Sequence, residues 1–284
     1  TTQSLRGMAN HGPMHWRRDR TAGAGQSLNE DLAFKAFNVA FDGLLGRSGP
    51  LTAGQMQAFT DFILQATYPP NPIRNLDNTL TPEQQAGRNF YFGPTSDVFG
   101  SCNTCHVLAP ASGFFGGDGL TSFEGEPQEF KIPHLRNAYQ KVGMFGQLDA
   151  GFTVPSDSSF KGDQVRGVGY LHDGSFDTVF RFMHGLVFSR DFSAFGPNPG
   201  GFPTGPVGDQ MRREVESFVL AFDSNLAPIV GQQATLTNAN ATTVGPRIDL
   251  MIQRAKAQFV SKALGGVGKE CDLVAQVALG GRVK

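Results

Sequence analysis

No run of eighteen apolar residues occurs in the 284-residue chain, so the sequence offers no membrane-spanning helix. Nor is one sign of charge in excess. Lys and Arg number 24 against 25 Asp and Glu, and a formal net charge of -1 provides no basic field to draw in nucleic acid. The opening TTQSLRGMANHG lacks both an initiator Met and the basic-then-apolar pattern of a signal peptide, so the sequence is expected to be mature, processed or a fragment. No sustained period-two alternation marks a strand. Trp and Tyr are scarce, at one and four, whereas Phe reaches 25. With 36 Gly and 17 Pro, this composition predicts helices joined by turn-rich loops around a phenylalanine-heavy interior suited to a large flat apolar cofactor. Cysteine is scarce too, and two of the three fall within five residues of each other. Cys271 stands alone; in an exported protein an odd Cys implies a partner outside the chain or a free thiol, and the plainer reading is a buried reduced Cys.

Helices are expected at six places. Ser27, Leu28, Asn29 and Glu30 have the form of a capping box, followed at mostly helical spacing by Leu32, Phe34, Phe37, Val39 and Phe41 to about Leu45. Thr52 with Gln55 opens a second helix, closed before Pro69 and Pro70. Thr81, Pro82 and Gln84 supply cap, first-turn Pro and third-position Gln for a third, running to about Phe92. Two more are predicted from about Phe176 to Val187 and from Gln210 to Asp223, with a last from Pro246 to about Leu264. Leu108 to Phe130 and the Gly- and Pro-rich 196–201 read as loops.

Within this helical frame, Ser101 is followed by Cys102-Asn103-Thr104-Cys105-His106. Two thiols three residues apart can reach the two vinyl groups of haem, and the next residue is an imidazole able to reach the iron. Zinc would call for a second ligand pair, and the remaining Cys is solitary. A redox dithiol would call for a strand-helix setting, which is missing. The spacing therefore predicts one covalent haem c on Cys102, Cys105 and His106.

The stretch from Thr81 to Phe92 followed by the pentad resembles the opening of many bacterial class-I-like cytochrome c domains. Phe130-Lys131-Ile132-Pro133-His134-Leu135-Arg136-Asn137 and Tyr170-Leu171-His172-Asp173-Gly174-Ser175 are similar to two blocks of the bacterial di-haem cytochrome c peroxidase superfamily, the resemblance covering about Leu80 to Leu226. That resemblance implies an exported, periplasmic or extracellular, mostly helical protein in which two haem domains face one another. It also brings calcium between the domains, for which the sequence shows no twelve-residue acidic loop.

The residue opposite His106 decides the chemistry, and the candidates are Met144, Met183, His134, His172 and His184. An internal comparison separates them. Ser4-Leu5-Arg6-Gly7 matches His134-Leu135-Arg136-Asn137, with Met14 and Met144 each eight residues beyond the Arg. Phe62-Ile63-Leu64, Pro72-Ile73 and Thr79-Leu80-Thr81 match segments beginning at Phe218, Pro228 and Thr235, each 156 positions later. Between these blocks Asp31, Phe34 and Lys35 pair with Asp177, Phe180 and Arg181, and Met183 falls opposite Phe37, which reads as core. Met144 is thus favoured as sixth ligand and His172 is the alternative, while His134 and His184 are expected to make structural hydrogen bonds.

The expected fold is mostly α. A class-I-like cytochrome c domain with long Gly/Pro-rich loops occupies 79–228, preceded at 1–78 by the C-terminal part of a first cytochrome-like repeat and followed at 229–284 by an extension with one helix. By the same comparison Met14 or His15 would face a second haem from an upstream segment or another chain; the plainer reading makes Met14 a buried core residue. Arg136 and Arg6 would each pair with a haem propionate, and Trp16 would assist transfer between haems. The expected activity is electron transfer through a His/Met-ligated iron. The alternatives are a di-haem peroxidase reducing hydrogen peroxide, its peroxidatic haem outside this chain, and an assembly module of a larger surface protein. Expected partners are a redox protein or another haem domain, with a homo-oligomer or larger assembly as a further expectation.

Overall fold

The structure, a computed structural model, describes residues 4–16, 29–122, 130–143, 167–171, 173–191, 196–278 and 282–283. It is mostly helical, with short strands at the edges. Helix α1 (Glu30–Lys35) runs through a 3-10 turn, Ala36–Val39, into α2 (Ala40–Gly43), and α3 (Ala53–Leu64) packs against α1. The expected cap at Ser27 lies outside the described residues. Asn29 does the capping instead: its Oδ1 accepts the Leu32 N–H at 3.0 Å, while Glu30 reaches away to accept the Gly12 N–H at 2.8 Å. At α3 the reciprocal box expected of Thr52 and Gln55 is present, at 3.1 and 3.3 Å.

Helix α4 (Pro82–Phe92) starts on an equivalent box between Thr81 and Gln84 and lies along α7 (Pro206–Leu220). Gly87 permits that approach, since a Cβ there would stand 1.9 Å from the Glu214 carbonyl oxygen. Between them in sequence come α5 (Cys102–Cys105) and the antiparallel pair β1 (Leu108–Ala109) with β2 (Phe114–Phe115). A second pair joins β3 (Thr121–Ser122) to β4 (Phe130–Lys131), and a short α6 (Val179–Phe182), capped by Thr178, packs on α7. The helix expected over 176–187 is therefore one turn followed by a 3-10 turn at Leu186–Phe188.

Positions paired by the internal comparison carry like structure. Lys35 bridges Asp31 at 2.5 Å as Arg181 bridges Asp177 at 3.5 Å, both one helical turn apart. Gly7 and Asn137 both adopt left-handed backbone, φ 66 and 56. Residues 68–78 then cross the end of α7, whose last carbonyls they satisfy: Asn71 donates to the Leu220 and Phe222 oxygens at 2.9 and 3.1 Å, and Arg74 meets Asp223 at 3.3 Å.

The C-terminal segment departs from expectation. Helix α8 spans Ala241–Arg254, with Pro246 inside it, and the chain then turns into a hairpin of β5 (Gln258–Ser261) and β6 (Gly266–Lys269). Gly265 and Gly266, at φ 85 and 114, make the reversal that stops any helix reaching Leu264. A last pair joins β7 (Val277–Ala278) to β8 (Arg282–Val283), and the strands among the described residues run only two to four residues, too short for a sustained alternation in the sequence. Glu270, buried, pairs with Arg254 at 2.6 and 2.7 Å and accepts from Asn78 at 3.1 Å.

Candidate functional site

The single turn of α5 sets Cys102 and Cys105 on one side and closes with the His106 N–H bonded to the Cys102 carbonyl at 2.8 Å. Asn103 fixes the exit, its Oδ1 accepting the Leu108 N–H at 2.9 Å. The thiols thus keep helical three-residue spacing, and His106 leaves the helical backbone at φ -91 and ψ 65. That ring is anchored from behind: Nδ1 lies 2.9 Å from the Gly116 oxygen and 3.2 Å from the Pro133 oxygen. Both neighbours are acceptors, so Nδ1 carries the proton and Nε2 keeps its lone pair. Burial pushes the His106 pKa down, against the upward pull of those two carbonyls, which favours the neutral ligand form.

Around this turn the wall is apolar and aromatic. Tyr91, Phe115, Phe218 and Phe222 form a buried cluster against which Cys102, Leu80, Leu108 and Leu135 pack. The Tyr91 hydroxyl donates to the His106 carbonyl, and burial raises its pKa. Ser96 lies 3.5 Å from the Cys102 sulfur, whose thiol is pushed up by burial.

Arg136 is 1 % exposed, its guanidinium over the Tyr68 ring at 5.1 Å and the Phe115 ring at 5.3 Å. Only Nη2 is bonded, to the Gly7 oxygen at 2.6 Å; Nε and Nη1 are buried without a partner among the described residues. Burial lowers its pKa to about 10, so it stays charged at neutral pH. A two-thiol turn, an oriented imidazole, an aromatic wall and a buried cation with unused donors fit a haem with its acidic substituents. Among the described residues no group of three or more His, Cys, Asp or Glu could hold a metal ion by itself.

The structure thus gathers Cys102, Cys105, His106 and Arg136. Met144 and His172 lie outside the described residues. Met183 is buried in a core with Val179, Phe202, Val215 and Val219. His184 bonds the Phe180 oxygen at 2.9 Å and Asp209 at 3.1 Å. Met14, 6 % exposed, packs with Ala33, Phe34, Met56 and Ile63 in a buried core cluster; His15 and Trp16 adjoin, Trp16 stacking on Phe130 at 5.1 Å. Arg6 is exposed, unlike Arg136. Cys271 is half-buried and in no disulfide. Sequence reasoning missed His11 and Tyr68, which stand beside His134 and Arg136. His11 lies in the segment opened by Ser4-Leu5-Arg6-Gly7, whose match to 134–137 was its one available signal.

No helix among the described residues is long and apolar enough to cross a membrane. No family model matches the chain, and no curated protein matches it. Among solved structures it is similar to Kuenenia stuttgartiensis hydrazine synthase pressurized with 20 bar xenon, at 18% identity and a TM-score of 0.49, over 78% of this chain and 71% of that one.

Proposed function

We propose that the chain is an exported c-type cytochrome that carries one covalent haem on Cys102 and Cys105, with His106 as axial ligand, and transfers electrons. The observation that carries this reading is the His106 ring, whose Nδ1 is held by the Gly116 and Pro133 oxygens so that Nε2 is left for the iron. When bound, haem supplies a one-electron couple. The chain's own residues hold the imidazole at a set angle and exclude water through Tyr91, Phe115, Phe218 and Phe222. A buried site of that kind changes charge with little rearrangement, which favours outer-sphere transfer.

Met144 is proposed as the sixth ligand, on the Met14 and Met144 correspondence, and a second haem facing Met14 or His15 is a separate proposal on the same ground. An absorption spectrum with a haem count per chain tests the reading. The expected outcome is one haem that resists acid extraction, with the long-wavelength band of Met-bound ferric iron in the oxidised protein. A high-spin ferric spectrum would favour the peroxidase reading, and extractable or absent haem would sink both. Intact mass of the native protein tests the second haem: a mass for one haem on a polypeptide beginning at Thr1 removes it.

A further inference from the structure

Where the first and second repeats meet, the molecule buries positive charge and polar nitrogens with nothing described to receive them. Arg136 of the second repeat donates to the Gly7 oxygen of the first and leaves Nε and Nη1 unused, as above. His11, 4 % exposed, faces His134 with ring centroids 5.2 Å apart. His11 Nε2 and His134 Nδ1 are both buried without a partner among the described residues. The Tyr68 hydroxyl lies 3.2 Å from His134 Nε2. Lys131 donates to the Pro13 oxygen at 2.7 Å; Arg136 and Lys131 act on both imidazoles and Lys141 on His134, while the Glu30 carboxylate is engaged by the Gly12 N–H. Desolvation and these cations hold both imidazoles well below their usual pKa. A desolvated guanidinium with two idle N–H groups, beside neutral imidazoles, is a site for an anion with at least two acceptor oxygens.

The junction is also one residue from each anchor of the haem ligand. Arg136 covers Phe115, next to Gly116; His134 follows Pro133; and Gly116 and Pro133 are the two carbonyls on His106 Nδ1. We propose that this junction receives a carboxylate of the haem held at Cys102, Cys105 and His106, with Arg136 Nε and Nη1 and the imidazoles of His134 and His11 as its donors. The first repeat thereby completes the haem site of the second. Tyr68 donates to His134 Nε2 and so keeps the proton of that ring on Nδ1, facing the carboxylate. This rests on the covalent-haem reading and deepens it.

The test is redox-difference infrared spectroscopy of the holoprotein carrying haem labelled with carbon-13 in its propionate carboxyls. One isotope-sensitive carboxylate band is expected to move in Arg136→Gln and, separately, in His11→Phe, and to stay in place in the exposed-site control Arg47→Gln. The midpoint potential is expected to fall in Arg136→Gln, because a cation that opposes the ferric charge is lost. Chloride or acetate added to the wild type is expected to change neither. Labelled bands that are unchanged in His11→Phe overturn the proposal, as does a band or potential that follows chloride concentration, which would put a free anion in the site. Should Arg136→Gln not fold, His11→Phe and the anion titration still decide. A wild type without covalent haem fails the functional reading itself, and the haem assay distinguishes that from a failure of the junction.

Discussion

His106 is held at four points by main-chain or hydroxyl contacts: its N–H on the Cys102 carbonyl, two carbonyls on Nδ1 and the Tyr91 hydroxyl on its own carbonyl. Removing the last by Tyr91→Phe leaves a buried acceptor unpaired and is expected to lower stability by about 1–3 kcal/mol, read from the urea midpoint. Asp97, upstream of the pentad, is half-buried, and burial raises its pKa above 3.8 despite the bond from the Phe99 N–H. The folded state therefore binds the proton more tightly than the unfolded chain. Stability on this account is greatest below pH 3.8 and falls as pH rises through the raised folded value. Denaturation midpoints across acidic pH should show that decline in the wild type and lose it in Asp97→Asn, which keeps an acceptor for Phe99.

At the scale of elements, the contact of α4 with α7 depends on one missing side chain. Gly87→Ala would set a Cβ against the Glu214 carbonyl, which is main chain and cannot rotate away; the expected loss is about 1–3 kcal/mol or more, checked by thermal denaturation. Two of the helices legible in the sequence had side-chain start signals, whereas α7, expected over Gln210–Asp223 and found at Pro206–Leu220, was legible from apolar spacing and has no side-chain cap at Gly205. Thr52 with Gln55 and Thr81 with Gln84 marked the starts of α3 and α4 to the residue, though α3 ends at Leu64, short of Pro69. Elements written in the backbone were not legible. The β5–β6 hairpin turns on two glycines that also suit a loop, and α8 accepts Pro246 internally. The Cys102–His106 turn could be read because its five residues are contiguous in the sequence. The His11–Tyr68–Arg136 junction could not, because its members are distant in sequence and only tertiary packing brings them together.

For the molecule as a whole, positions that the internal sequence comparison pairs can have unlike surroundings. Phe62 and Phe218 occupy matched positions on α3 and α7, yet Phe62 is 68 % exposed and Phe218 fully buried against Tyr91 and Phe222. Phe218→Ala is accordingly expected to cost about 3–5 kcal/mol, whereas Phe62→Ala should stay within about 0.5 kcal/mol; parallel chemical denaturation of both variants compares them. The clasp of Arg254, Glu270 and Asn78 has a mechanical meaning. With Asn71 over the end of α7 it ties position 78 to 270 and 71 to 222, so tension applied at the chain's two ends runs across those bonds. The turn that carries Cys102, Cys105 and His106 lies within the loop those bonds close, so they shield it from such a pull.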